Sequence, residues 1–129
     1  MKELKASELR IGNLFQEKHT KEIISVYELL ADRIVFTGSF EKGWQAEPIE
    51  LTEEWLLKFG FEKEIIDCNH IRRIYYYIDD FEVEFHGKKL VFRVETENST
   101  RYFAHKTRHI HQLQNLYFSL CGEELTIKN

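Results

Sequence analysis

Proline occurs once in the 129 residues, at Pro48, and glycine only six times. No Pro-rich spacer or Gly/Ser hinge therefore divides the chain, and a single domain over residues 1–129 is expected. Cysteine is limited to Cys68 and Cys121, too few for a disulfide framework and no sign of an oxidising compartment. No apolar run approaches the roughly 20 residues that cross a bilayer. Met1-Lys2-Glu3-Leu4-Lys5 leads into no apolar stretch, so no secretory signal and no membrane are expected. Internal repeats and low-complexity tracts are missing. So are Gly-x-Ser-x-Gly, Gly-rich phosphate loops and Gly-x-Gly-x-x-Gly, which removes the commonest routes to nucleophilic or nucleotide-dependent catalysis.

What is present is core material. Apolar residues make up 43% of the chain and aromatic ones 14%, against 31% charged, a mix that folds rather than stays disordered. Eighteen basic residues against 22 acidic ones leave a net charge of −4, the wrong sign for a general phosphate-backbone binder. The charge is uneven. Between residues 41 and 67 eight acids face three lysines, whereas 99–112 hold no acid but contain Arg101, Lys106 and Arg108 beside His105, His109 and His111.

The pattern predicts an α+β fold. Short strands are expected at 13–17, 22–30 and 33–37, in a small barrel-like region with turns at His19-Thr20 and Ala31-Asp32. Ile23, Tyr27 and Leu29 would share a face with Ile34 and Phe36, with Ile24, Val26 and Val35 opposite. A loop over 38–43 returns Trp44 to the core or its rim. A short helix follows: Thr52 as N-cap, Glu53 and Glu54 in the first turn, Lys58 in the last and Gly60 beyond it. Leu51 and Leu56 make a hydrophobic staple across the cap, and Trp55, Leu56 and Phe59 form the buried stripe.

A β-meander follows and can be registered by counting. A two-residue turn at Gly87-Lys88 pairs Phe85/Leu90, Val83/Phe92 and Phe81/Val94 on one face, and His86/Lys89, Glu84/Val91 and Glu82/Arg93 on the other. A second turn at Asp79-Asp80 adds Ile78/Phe81, Tyr76/Val83 and Ile74/Phe85 to the apolar face. Tyr77/Glu82, Tyr75/Glu84 and Arg73/His86 join the polar one. Both turns give the middle strand the same inward side. A fourth strand over 100–105 follows Asn98-Ser99. A last helix over about 109–121, stopped by Gly122, would lay Ile110, Leu113, Leu116, Tyr117 and Leu120 across the apolar face. Gln112, Asn115 and Ser119 would point outward, with His111 at the edge.

Three constellations are candidates for chemistry. His105, His109 and His111 cluster, but His-x3-His-x-His matches no zinc spacing and the last two diverge on a helix, so no metal is expected. Asp79, Asp80, Glu82 and Glu84 are explained by a turn and by cross-strand pairs, so no catalytic residue and no cofactor are assigned. Cys68, in a loop near His70, and Cys121, at a buried helix end, are not activated. The polar meander face remains, where Arg73, Tyr75, Tyr77 and Arg93 set guanidinium groups beside aromatic rings, a combination that stacks on flat anionic ligands or packs in protein interfaces. His105 and His111 complete the candidate ligand-binding set.

Three blocks of the sequence carry a resemblance. They are Glu8-Leu9-Arg10-Ile11-Gly12-Asn13; Pro48-Ile49-Glu50-Leu51-Thr52-Glu53-Glu54-Trp55-Leu56-Leu57-Lys58-Phe59-Gly60-Phe61; and His111-Gln112-Leu113-Gln114-Asn115-Leu116-Tyr117-Phe118 with Gly122-Glu123-Glu124-Leu125-Thr126-Ile127. In this order they resemble a family of small uncharacterised proteins of Bacteroidetes-type gut bacteria and their phages and prophages. The resemblance supplies no catalytic residue or cofactor. It implies a mobile-element accessory protein in a bacterial cytoplasm. The expected function is non-enzymatic: binding that sequesters or blocks a host protein or a small, nucleotide-like anionic ligand, with an anti-defence role as one form. Nucleic-acid binding should be weak, and a homo-oligomer stays open. The alternatives are a nucleic-acid-associated regulator using 101–111 and a small metal-dependent or acid–base enzyme.

Overall fold

In a computed structural model the described residues are 5–38, 40, 42–86, 89–95, 100–105 and 107–128, with the side chains of 89 and 101–105 left aside. The expected turn at Gly87-Lys88 and the link at Asn98-Ser99 lie outside them. The fold is α+β, mostly antiparallel sheet with a short helix and a C-terminal helix. Two compact units make up the chain, Met1–Glu50 with His109–Leu116, and Leu51–Arg108 with Tyr117–Asn129. No helix among the described residues is long and apolar enough to cross a membrane.

The first unit holds β1 (Leu14–Glu17), β2 (Ile23–Leu29), β3 (Ile34–Phe36) and β4 (Ala46–Glu47), in the order β3-β2-β1-β4. The first three lie where the alternation put them. The two-residue β4 is too short to leave a periodic signal. Ile24 and Val26, not Ile23 and Tyr27, are buried, and they pack with Leu29, Ile34 and Phe36. The expected grouping fails because the β2–β3 register shifts between Val26 and Glu28. One extra residue there returns Leu29 to the side of Val26, as a bulge does. Tyr27 is left 64% exposed. Trp44 sits on the rim, its ring stacked on Phe40 at 4.0 Å.

In the second unit α1 (Glu53–Lys58) begins at Thr52, whose hydroxyl accepts from the Trp55 N–H. Trp55, Leu56 and Phe59 are buried as the stripe requires, and so is Leu51. The sheet that follows has five strands in sequence order: β5 (Glu62–Cys68), β6 (Ile71–Ile78), β7 (Phe81–His86), β8 (Lys89–Glu95) and β9 (Thr100–His105). All six expected β7–β8 pairs are present, from Phe81↔Val94 to His86↔Lys89. The β6–β7 ladder carries Ile78↔Phe81, Tyr77↔Glu82 and Tyr76↔Val83. The expected Tyr75/Glu84, Ile74/Phe85 and Arg73/His86 pairs lie past the end of that ladder. Strand β9 has the expected bounds.

Strand β5 leaves no signal in the sequence, whose pattern puts Cys68 in a loop. Every residue of β5 is exposed, so no face alternates and only its seven-pair ladder with β6 defines it. Cys68 ends the strand, and Asn69 and His70 form the turn with φ of 48° and 68°.

Phe81, Val83, Leu90 and Phe92 are buried together, but Phe85 is 37% exposed and Val94 half-buried. Phe81 is the hub, within 5.3–6.2 Å of the rings of Tyr117, Phe92 and Phe61. Helix α2 (Ile110–Cys121) is divided between the units, its residues through Leu116 belonging to the first and those from Tyr117 to the second. Ile110, Leu113 and Tyr117 are buried, whereas Leu120 and Cys121 are exposed. The apolar spacing runs past the part of the helix that has a core to face. Asn115 and Gln112 are half-buried rather than outward.

Candidate functional site

The polar face of the second sheet gathers four of the six candidate residues. Glu62, Glu64, Arg73, Tyr75, Tyr77, Glu82, Glu84 and Arg93 all project from the side opposite Tyr76 and Val83, since cross-strand partners share a face. The same alternation that buries Phe81 and Val83 brings these groups together.

Both arginines are already engaged. Arg73 donates from Nε to Glu84 at 3.0 Å and lies 3.7 Å from Glu82, with its guanidinium 4.9 Å above the Tyr75 ring. Arg93 bonds Glu82 at 2.6 Å and Glu95 at 3.2 Å. Tyr75 and Tyr77 stand 6.2 Å apart, and the Tyr75 hydroxyl donates to Glu64 at 2.7 Å. The bond to Glu64, with some desolvation, holds the Tyr75 hydroxyl above its ordinary pKa. Glu62 does the same for Tyr77, by hydrogen bonding and by its charge. Both phenols stay neutral donors.

A groove of about 180 Å³ opens beside the tyrosines, its wall carrying Glu64, Asp79, Asp80, Glu82 and Glu95 against the one guanidinium of Arg93. Five carboxylates facing one cation make it an electronegative surface, with two phenol rings as its apolar floor. Arg73 stands over the Tyr75 ring, on the face that strand parity gives both, but the sequence pattern leaves the arginines free where the structure has them paired. Register alone does not reveal that Glu82 lies between two guanidinium groups and serves both.

The histidines are elsewhere. His111 belongs to the first unit and is buried, its ring stacked on Phe15 at 4.7 Å and on His109 at 5.8 Å. The expected divergence of His109 and His111 on one helix does not arise, because His109 precedes α2 and bridges to Glu50. Burial, and then the charge of His109, lowers the pKa of His111 from 6.5 to about 4. Its Nδ1 is buried with no hydrogen-bond partner among the described residues. His111 is a core ring. The backbone of His105 pairs with Leu90, and its side chain lies outside the described residues. Among the described residues no three His, Cys, Asp or Glu side chains converge as metal ligands.

A second concavity, of about 360 Å³, lies in the first unit beside Phe40, Lys42 and Trp44. Its buried acid, Glu17, is fully employed, accepting from the backbone N–H groups of His19, Thr20 and Gln45 at 3.0–3.2 Å. Burial opposes ionisation of this carboxyl, but those donors outweigh it and leave the pKa lowered. Glu17 shapes a loop instead of offering a reactive group.

Sequence reasoning gave no role to Gln114 and turned Asn115 outward. In the structure the Gln114 Oε1 accepts from Leu14 N at 2.9 Å, and Asn115 exchanges bonds with the Asn13 side chain and the Glu8 carbonyl at 2.9 and 3.0 Å. These are partners about a hundred positions away, which no local pattern reveals. Compared with protein-family models, curated proteins and solved structures, the chain has no match.

Proposed function

We infer that the protein works by binding rather than by catalysis, and that the face of Tyr75, Tyr77, Glu82 and Arg93 is the surface it uses. The observation that carries this reading is the pairing of both arginines with glutamates beside two half-buried tyrosines. A face with both arginines paired and carboxylates in excess beside them repels phosphate and attracts a basic protein segment. A host protein is therefore favoured over a nucleotide-like anion as the target. The resemblance to proteins of gut bacteria and their phages fits a mobile-element accessory that blocks such a host protein in the bacterial cytoplasm.

The test is retention of a partner from a bacterial host lysate by the immobilised protein and by a Tyr75→Ala, Tyr77→Ala double variant. The tyrosines are chosen because Arg93→Ala would leave Glu82 without its closest cation. The expected outcome is one partner held by the wild type, released by rising salt, and lost from the double variant at unchanged circular dichroism. Equal retention by both proteins, or calorimetric binding of cyclic or linear nucleotides instead, refutes the reading.

A further inference from the structure

Strand β5 is one of the two edges of the five-stranded sheet and, among the described residues, pairs with β6 only. An open edge offers unpaired N–H and C=O groups to another strand. Which residues offer them follows from the turn. Asn69 and His70 both have positive φ and link the partners Cys68 and Ile71. A two-residue turn of this kind closes on a hydrogen-bonded pair. Cys68, Ile66, Glu64 and Glu62 therefore direct their backbone groups toward β6. Asp67, Ile65 and Lys63 direct theirs outward.

We propose that β5 is a homodimerisation edge, joining antiparallel to β5 of a second copy about a two-fold axis at Ile65. Backbone chemistry and charge select this register together. In an antiparallel ladder, residues opposite each other both point their backbone groups into the shared gap or both point them away. Only registers that set odd positions against odd and even against even are allowed. Centring on Lys63 sets Glu62 against Glu64, centring on Glu64 sets that residue against its own copy, and centring on Asp67 does the same with Asp67. Each is a like-charge juxtaposition. Centring on Ile66 opposes Asp67 to Ile65. Centring on Ile65 alone sets Lys63 opposite Asp67 of the second copy, twice by symmetry, with Ile65 meeting Ile65 between them.

Charges on an edge strand usually prevent such pairing. Here they oppose the registers centred on Lys63, Glu64 and Asp67, and of the two that remain, only the one centred on Ile65 gains opposite-charge pairs. Ile65 and Ile66, 43% and 39% exposed, gain cover across the new ladder. Lys63 already bonds Glu53 at 2.5 Å and Asp67 lies 3.8 Å from Arg72, but all four side chains are at least a third exposed. Such surface pairs yield readily to a new partner.

The experiment is sedimentation velocity on the full chain over a roughly hundredfold concentration range, so that mass action reports dissociation. Four proteins are compared: wild type, Lys63→Asp, Asp67→Lys and the double reversal. A concentration-dependent dimer is expected for the wild type. Each single reversal should weaken it by about tenfold or more through like charges on the two-fold ladder, and the double reversal should restore it. Asp67→Lys leaves the Lys63–Glu53 pair untouched, so its effect is not attributable to loss of that pair. A monomer throughout the range, a dimer insensitive to both single reversals, or no recovery in the double variant overturns the proposal. The proposal uses the sheet edge and not the tyrosine face, so it stands or falls separately from partner binding.

Discussion

The two units are held by different chemistry. In the second, a cluster of rings around Phe81 supplies the cohesion, and each ring contributes without needing a particular partner. In the first, a smaller apolar group of Phe15, Ile24, Val26 and Leu9 shares the interior with Asn13, Glu17, His111 and Gln114. A buried polar group costs stability unless bonded, and Asn13, Glu17 and Gln114 each depend on specific partners. The aromatic unit should therefore lose stability in proportion to volume removed. The polar unit should lose it abruptly when one partner is changed.

The largest expected effect is in the aromatic unit. Trp55 is buried, packs against Phe59 at 5.8 Å and carries Lys58 over its ring at 4.5 Å. Trp55→Ala should cost roughly 3–5 kcal/mol by leaving a cavity. Thermal and denaturant melting read the loss. An unchanged midpoint would mean that the ring contributes no packing.

Next is the acid limb of the first unit. His111 has its pKa near 4 when folded, below its ordinary 6.5, so the unfolded chain binds the extra proton between those values. Stability is then full above pH 6.5 and falls as the pH drops toward 4, by a total of order 3 kcal/mol. Hydrogen exchange of β1 and β2 amides at pH 7 and pH 5 should show the loss, and His111→Phe should flatten it. A pH-independent wild type over this window would remove His111 from the interior. The paired carboxylates do not confuse the reading, since Glu17 and Glu47 are shifted down, below 4.5.

The smallest of the three sharpens the contrast. Asn13 takes the Arg10 N–H at 2.7 Å and donates to Asn115 at 2.9 Å. Asn13→Ala removes few atoms yet should cost about 1–3 kcal/mol by deleting both of these bonds from the interior. Protection should fall in β1 and the first turns of α2 more than in β7 and β8. A uniform drop across both sheets would show that the two kinds of core do not respond separately.

Much of the second sheet was legible because alternation and turn geometry are local. Glu82 and Glu84 cannot be inward without burying charge, so the β7–β8 register follows from six residues and a turn. The helix cap at Thr52 is equally local. Of the candidate site, the sequence placed Arg73, Tyr75, Tyr77 and Arg93 on one face by parity. It could not show that Glu82 and Glu84 occupy both guanidinium groups, because that depends on side-chain reach across three strands.

By itself, then, the sequence determined the α+β class, the capped helix, the meander register and the sharing of one face by tyrosines and arginines. Each follows from period, propensity or turn chemistry within a few residues. Tertiary structure alone decided the bulge that brings Leu29 to the side of Ile24 and Val26, the β5 edge that no periodicity marks, and the division of α2 between two units. It also decided the bonds from Gln114 and Asn115 to the segment around Asn13. These features depend on which distant groups meet, and the free energy of a buried polar contact is realised only where both partners arrive together.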